Sequence, residues 1–141
     1  MSRGTVLHER PSSGTPARPS DGGDHGEAIK LVSCIIRPER LDAVKDAVQR
    51  LEISHGMTVS DVRGFGRQKG QVEHYRGGEY TIRFVPKVRV DIAVSAGDVD
   101  RLMTAVADAA RTGQVGDGKI FVTKVGHAVR FRTGERGLVA I

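Results

Sequence analysis

Two glycine-rich segments of this chain have residue types that could bind an anion. The first is GQVGDGK, residues 113–119, where three glycines allow close approach of the backbone and Lys119 supplies a positive charge. It matches the phosphate-binding pattern G-x-x-x-x-G-K-[ST] up to its last position, where Ile120 has no hydroxyl group for magnesium. A P-loop also joins a strand to a helix, and this segment joins a helical pattern to a strand. We therefore expect a phosphate cradle of another kind.

The second segment is GFGRQKG, residues 64–70, which opens a longer stretch that ends at Tyr80. Its spacing G-x-G-x-x-x-G is one residue off the dinucleotide fingerprint and opens no helix, so a Rossmann site is not predicted. Long irregular loops inside compact domains are usually functional or disordered. We interpret residues 64–80 as a functional loop that offers backbone N–H groups and cations, with Tyr75 and Tyr80 on an arm.

A third candidate is the pair Arg130 and Arg132 in VRFRTG. In an extended strand, residues two apart point to one face, so both guanidinium groups could clamp a phosphate. A solvated strand edge explains the same pattern equally well. The histidines have no metal-ligand spacing, and we find no set of nucleophile, base and orienting group, so the chain is not predicted to be an enzyme.

The elements that position these segments follow from the hydrophobic pattern. Alternating or continuous apolar runs predict strands, and apolar residues three and four apart predict helices. The predicted strands are 30–36, 57–62, 87–94 and 119–125, the helices are 39–52 and 98–110, and a further extended piece is 128–134. The order βαββαβ predicts an α+β, ferredoxin-like sandwich with two helices on one face of an antiparallel sheet.

Composition sets the organisation of the 141 residues. Residues 1–28 are rich in Gly, Pro and Ser and are predicted to be a disordered N-terminal extension, and residues 29–141 are predicted to form one domain. The net charge of +5 favours anionic partners. Cys34, the only cysteine, lies in an apolar run, so we expect a buried thiol and a reducing compartment. No apolar run is long enough for a membrane span, and a cytoplasmic location is expected.

Two other functions share parts of this pattern. RGFG at residues 63–66 repeats the start of the RNP1 motif, and RNA-recognition modules have the same βαββαβ order. The predicted strand RVDIAVS has no aromatic residue for base stacking, which weakens this reading. An RNA-binding module therefore stays as one alternative, and a small ATPase or phosphotransferase as another.

Four blocks, GFGRQKG, YRGGEY, TGQVGDGKIFV and VRFRTGERG, occur in this order over residues 30–141. They resemble the T-loop, the modification segment, the B-loop and the C-terminal loop of the PII nitrogen-regulatory signal-transduction family. The resemblance implies a homotrimer with a long T-loop between the second and third predicted strands. It also implies three sites between neighbouring subunits, where ATP and ADP compete.

The resemblance also implies the residues of the nucleotide site. They are Thr58, Gly64, Phe65, Gly66, Arg67, Asp91, Ala93, Gly116, Asp117, Gly118, Lys119, Arg130 and Arg132. Residues 116–119 would hold ribose and phosphates, and the two arginines would reach in from the neighbouring subunit. Thr58, Asp91 and Ala93 would border the adenine, although the family more often has Glu and Val at the last two positions.

The family's effector 2-oxoglutarate binds beside ATP through a shared Mg²⁺ ion. By resemblance, Gln68 would supply an oxygen ligand to the metal, and the backbone of Gln68, Lys69 and Gly70 would receive the ketoacid. Lys87 would pair with its distal carboxylate, and Arg37 would lie near it.

Tyr80 matches the tyrosine that is uridylylated or adenylylated in the family, and Gly78 replaces the serine that another branch phosphorylates. The implied partners are nitrogen-metabolism proteins such as an ammonium channel, an adenylyl- or uridylyltransferase and a sensor kinase. Direct binding to nucleic acid is not expected, and membrane association is expected only through a channel. Arg83 replaces a usual acidic residue, so the set of partners could differ.

Overall fold

A computed structural model describes residues 28–53, 56–66 and 83–141, and the backbone of residues 72–75 and 79–82. The predicted disorder of the N-terminal extension concerns residues that lie almost wholly outside these ranges. The strands are β1 (Ile29–Ile36), β2 (Thr58–Gly64), β3 (Val72–Tyr75), β4 (Glu79–Ile82), β5 (Val85–Ser95) and β6 (Gly118–Val125), and the helices are α1 (Leu41–Leu51) and α2 (Val99–Ala110).

The main sheet is antiparallel, with the strand order β2-β5-β1-β6. The central strand β1 pairs along all eight of its residues with both β5 and β6, so that Ser33 lies between Asp91 and Phe121. This arrangement of strands and helices confirms the predicted ferredoxin-like fold. Among the described residues, no helix is both long and apolar enough to cross a membrane.

The hydrophobic core lies between the helices and one face of this sheet. Val44 and Val48 of α1 and Leu102 and Val106 of α2 are buried, as their spacing predicts. They pack against alternate residues of the two central strands: Val32, Cys34, Ile36, Val88, Val90, Ile92 and Val94. Full burial of each aliphatic side chain contributes about 2 kcal/mol, so this layer holds the sheet together.

The opposite face of the sheet carries the intervening residues, among them Leu31, Ile35 and Arg89. In the described part of the chain neither α-helix packs on this face, and the side chain of Phe121 is 54% exposed there. The polar residues implied by the family resemblance, Asp91 and Lys87, also belong to this face because they alternate with the core positions. The candidate site must therefore lie on the open side of the sheet.

Two segments differ from the predictions. The stretch 64–80 is predicted to be irregular, but β3 and β4 pair as a hairpin from Val72↔Ile82 to Tyr75↔Glu79. Valine, tyrosine and isoleucine favour strands even where no alternation announces them, which accounts for the difference.

The second difference is at residues 128–134, where the prediction of an extended piece is wrong. Val129 forms only an isolated bridge with Arg136, and residues 131–133 form a turn. The N–H of Gly134 donates to the carbonyl of Arg130 at 2.8 Å, and the φ of Gly134 is +73°. Glycine reaches this left-handed conformation at little cost, so the chain reverses there. Arg130 and Arg132 consequently do not lie along one strand face.

Candidate functional site

The first glycine-rich segment forms a tight loop between α2 and β6, which we call the 112–118 loop. Its three glycines have positive φ angles, +89° at Gly113, +104° at Gly116 and +102° at Gly118. A Cβ atom at Gly118 would lie 1.7 Å from the carbonyl oxygen of Ile35. Glycine is therefore required at position 118 both by backbone conformation and by the contact with β1.

Asp117 organises this loop from within. Its Oδ2 accepts hydrogen bonds from the N–H groups of Thr112 at 2.7 Å and Gly113 at 2.8 Å. Its Oδ1 accepts from the hydroxyl group of Thr112 and from Nε of Arg37, the latter at 3.0 Å. These bonds, foremost the one from the Thr112 hydroxyl, hold the pKa of Asp117 well below its usual range. The carboxylate is thus ionised and faces its own loop.

Two cations reach the same loop from the sheet. Arg37 follows β1 and donates through Nη2 to the carbonyl of Val115 at 2.7 Å. Lys87 on β5 donates through Nζ to the carbonyl of Gly116 at 2.5 Å. Burial lowers the pKa of Lys87, and the neighbouring charge of Arg37 lowers it further, against the opposing charges of Glu39 and Asp117. An anion placed here would relieve the repulsion between the two cations.

A cleft of about 520 Å³ opens beside these groups. It brings together Gly64, Phe65 and Gly66 from the end of β2, Lys87 from β5, and Gly116, Gly118 and Lys119 from the loop and β6. Backbone amide groups, two lysines and an apolar rim in one cleft suit a phosphate or a carboxylate attached to a small organic body.

Phe65, which lines this cleft, belongs to an aromatic pair. The rings of Phe65 and Phe84 meet edge to face, with 5.9 Å between their centroids and 80° between their planes. They flank Gly64 and Val85, the last pair of the ladder between β2 and β5. The pair therefore marks the base of the arm. The sequence gives no signal for this role of Phe84, because only the pairing of β2 with β5 brings it to Phe65.

A second cleft, of about 530 Å³, lies toward the other end of the open face. It contains Thr58, Asp91, Ala93 and Arg130, all four predicted to contact a nucleotide. Oδ1 of Asp91 accepts from Oγ of Ser33 at 2.5 Å and from Nε of Arg89 at 3.1 Å. Ser33 was also missed, although a hydroxyl group inside the apolar run LVSCII is a signal that a polar partner faces it.

Arg130 is held within its own segment. It donates to Oε1 of Glu135 at 3.2 Å and to the carbonyl of Val139 at 3.1 Å. Arg132 lies exposed in the turn that follows. Arg130 and Arg132, which were expected to clamp a phosphate together, therefore do not lie side by side in one chain. Arg130 lines the second cleft, and Arg132 is exposed to solvent.

Several predicted positions cannot be placed in either cleft. Arg67, Gln68, Lys69 and Gly70 lie outside the described residues, and for Tyr80 only the backbone of β4 is described. Within the described ranges, no three His, Cys, Asp or Glu side chains cluster as metal ligands. The two clefts are themselves apart: Lys87 and Asp91 are four residues apart on β5, or about 13 Å along an extended strand.

Comparison with known proteins identifies the family. The family profile described as "Nitrogen regulatory protein P-II" matches residues 29–135. A nitrogen regulatory protein P-II of Synechocystis is 54% identical over 113 residues, which are 80% of this chain and all of the relative. One from Rhizobium etli is 52% identical over 107 residues, 76% of this chain and 95% of the relative.

A solved structure gives the same result in three dimensions. Arabidopsis thaliana PII bound to citrate matches with a TM-score of 0.66 and 39% identity, over 81% of this chain and 92% of that one. These relatives are named as regulatory proteins, in agreement with the prediction that the chain is not an enzyme. The chain belongs to the PII family of nitrogen regulatory proteins.

Proposed function

We propose that this protein senses ATP, ADP and 2-oxoglutarate, and that it signals their levels to nitrogen-assimilation proteins through the segment between β2 and β5. The observation that supports the proposal is the division of the predicted nucleotide residues between two clefts on one sheet face. Gly64, Gly116 and Lys119 line the first, and Thr58 and Asp91 line the second. Each cleft carries the half of the site that the other lacks.

A second copy of the chain would complete the site. Lys87 in the first cleft and Asp91 in the second lie about 13 Å apart along β5, and a nucleotide bound where two subunits meet could contact the first cleft of one and the second cleft of the other. The open sheet face with its exposed Phe121 offers apolar surface for such an assembly. We therefore propose the homotrimer that the family resemblance implies, with Arg130 and Arg132 reaching a neighbour's 112–118 loop.

Within this composite site the 112–118 loop and Lys119 would hold the phosphates. Glycine backbone in positive φ lets N–H groups converge on an anion, and lysine adds a mobile charge. Thr58, Asp91 and Ala93 would border the base. Ser33 and Arg89 both donate hydrogen bonds to the Asp91 carboxylate. The orientation of this carboxylate is therefore set before adenine binds beside it.

The effector 2-oxoglutarate would enter the first cleft, where Lys87 offers its charge beside Arg37. By the family resemblance, a Mg²⁺ ion would be held chiefly by phosphate and ketoacid oxygens, with Gln68 as the protein ligand. The Mg²⁺ would supply charge neutralisation between the two anions. A relative described as bound to citrate supports carboxylate ligands in this family.

The output would pass through the arm that the Phe65–Phe84 pair closes at its base. Phe65 and Val85 line the first cleft, so a ligand there would contact them and bias the arm's position. Nucleotidylation of Tyr80 would add bulk and charge to the arm and block docking. The targets would be an ammonium channel, an adenylyl- or uridylyltransferase, or a sensor kinase.

Isothermal titration tests the ligand scheme. We expect 2-oxoglutarate to give no heat with the free protein and clear binding with the Mg-ATP-loaded protein, since a shared metal couples the two ligands. Lys87→Gln should abolish the 2-oxoglutarate heat, whereas the matched control Lys124→Gln, an exposed lysine on β6, should preserve it. Binding of 2-oxoglutarate regardless of nucleotide would contradict the shared-metal scheme.

Light scattering after size exclusion tests the assembly. A trimer is expected, because a composite site needs a neighbouring subunit. A monomeric protein that still bound ATP tightly would show that one chain suffices and would overturn the composite site.

A further inference from the structure

We propose that Arg37 and Asp117 are positioning residues that preform the 112–118 loop for phosphate, and that Arg37 does not itself contact the bound carboxylate effector. The inference rests on the proposed function, since it assigns roles within that nucleotide site. It also departs from the expectation that Arg37 lies at the effector and Asp117 at the nucleotide.

The carboxylate of Asp117 has no capacity left for a ligand. A carboxylate has about four acceptor positions. Four donors occupy Asp117: the N–H and hydroxyl groups of Thr112, the N–H of Gly113 and Nε of Arg37. A ribose hydroxyl would have to displace one of them, and three of the four belong to the loop itself. Asp117 therefore acts on the shape of the loop.

Arg37 is committed to the same loop at two points. Its Nε binds the Asp117 carboxylate and its Nη2 binds the Val115 carbonyl, and its side chain is only 14% exposed. A planar guanidinium group suits such a two-point attachment, because its donors are fixed relative to one another. Since Ile36 pairs with Gly118 in the sheet, the arginine that follows Ile36 anchors the loop to β1.

Lys87 differs from Arg37 in its chemistry. Its ammonium group lies on a carbonyl oxygen, that of Gly116, and burial lowers its pKa. A carboxylate or phosphate in the cleft is a stronger acceptor for an ammonium group than a carbonyl is. Lys87 is consequently the cation suited to contact the incoming anion, and Arg37 the one suited to keep the loop in place.

The anchored loop leaves backbone donors for a phosphate. Asp117 uses the N–H groups of Thr112 and Gly113, and the N–H of Asp117 itself donates to the carbonyl of Gln114 at 3.3 Å. Within the described residues, the N–H groups of Val115 and Gly116 have no acceptor. Holding these two donors in place before the ligand arrives avoids the ordering cost at binding.

The test compares ATP with AMP in titrations of purified full-length protein. Asp117→Asn and Arg37→Gln should each weaken ATP binding about tenfold, the effect of losing one charged hydrogen bond. AMP should be affected less, because fewer of its phosphate oxygens use the loop. Arg37→Lys should restore only part of the lost affinity, since an ammonium group keeps the charge but lacks the fixed, planar donors with which the guanidinium group binds two acceptors. The matched control is Asp108→Asn, which removes an exposed ion pair with Arg111 at the end of α2.

A double-mutant cycle separates positioning from direct contact. Because Arg37 and Asp117 hold the same loop and bind each other, the double variant should lose less ATP affinity than the sum of the two single losses. Additive losses would overturn the inference, as would a loss of 2-oxoglutarate affinity in Arg37→Gln that Asp117→Asn does not share. Equal losses for ATP and AMP would overturn it too, because they would indicate a general loosening of the fold.

Amide hydrogen exchange gives a readout without any ligand. In the free protein, both single variants should raise the exchange rates of the Thr112 and Gly113 amide groups while leaving those of the β1 amide groups unchanged. Unchanged exchange in the loop would overturn the positioning role even if nucleotide binding fell. Failure of the wild-type protein to bind ATP would instead overturn the proposed function, and the phosphate role of the loop with it.

Discussion

The 112–118 loop and the C-terminal segment 129–141 contain similar residue types but differ in the contacts that fix their conformation. Each combines positive-φ glycines with an arginine–carboxylate pair. The loop is bound to the sheet by Arg37 and Lys87, which come from positions distant in sequence. The C-terminal segment is bound mainly to itself, through Arg130, Gly134 and Glu135.

Exposure follows the same division. The side chains of Arg37 and Asp117 are 14% and 22% exposed, and those of Arg130 and Glu135 are 36% and 43% exposed. A pair screened from water by the sheet contributes more to a fixed geometry than one in solvent. Similar residue types thus form a loop that is tied to the sheet in one place and a surface turn that is bound mainly to itself in the other.

The largest expected effect comes from adding one methyl group in each region. Gly118→Ala should destabilise the protein by about 3 kcal/mol or more, because the new Cβ atom would meet the backbone of Ile35 as well as a positive φ. Gly134→Ala, also at positive φ but in open space, should cost about 1 kcal/mol. Urea unfolding of the two variants measures the difference, and equal losses would refute the distinction between the regions.

Removing one charge from each ion pair should give a smaller contrast. Glu135→Gln should change stability by less than about 0.5 kcal/mol, as exposed pairs usually do. Arg37→Gln should cost distinctly more, since it leaves Asp117 ionised and the Val115 carbonyl without its donor. Thermal unfolding in low and in high salt provides the comparison. A larger loss for Glu135→Gln would reverse our reading of the two pairs.

Low pH should remove the stability that the ionised Asp117 carboxylate contributes through the 112–118 loop. The pKa of the Asp117 carboxyl group is 3.8 in the unfolded chain and is lowered in the folded protein. As the pH falls, the unfolded chain therefore binds a proton at Asp117 before the folded protein does. Its stabilising contribution is therefore present above about pH 4 and is lost as the pH falls below that value. The stability difference between wild type and Asp117→Asn should shrink from about pH 5 to about pH 2. A difference independent of pH would contradict this account.

Thiol labelling supplies the smallest and most local signal. Burial, with a contribution from Asp91, raises the pKa of Cys34 to about 11, so little reactive thiolate forms at neutral pH. The native protein and Glu135→Gln should react slowly with a thiol reagent, and guanidinium should release the reaction. Gly118→Ala, which disturbs the pairing of β1 with β6, should react faster. Rapid labelling of the native wild type would mean that β1 is not protected.

The sequence predicts those parts of the molecule that local patterns determine. The alternation of Val88, Val90, Ile92 and Val94 and the helical spacing of Val44 and Val48 correctly identified core faces. The turn at Gly134 could not be predicted in this way, since the hydrogen bond from its N–H to Arg130 competes with an extended chain that has the same residues.

The candidate site was predictable as a set of residue types and much less so as a set of contacts. The spacing of the glycines and Lys119 predicts an anion site, and this remains a prediction. The contact of Arg37 with Asp117 joins residues 80 apart, and that of Ser33 with Asp91 joins residues 58 apart. Contacts between residues so far apart in sequence depend on the register in which the strands pair, and the local hydrophobic pattern does not specify that register.

The alternation of polar and apolar residues along β5 also disfavours pairing of β5 with its neighbours in a shifted register. Because side chains alternate, a slip of β5 by one residue would carry Arg89 and Asp91 beneath the helices and turn Val90 and Ile92 outward. Two charges buried under an aliphatic layer would make the shifted sheet far less stable than the native one. Arg89 and Asp91, which lie on the open face, thus also favour the correct strand register while the chain folds.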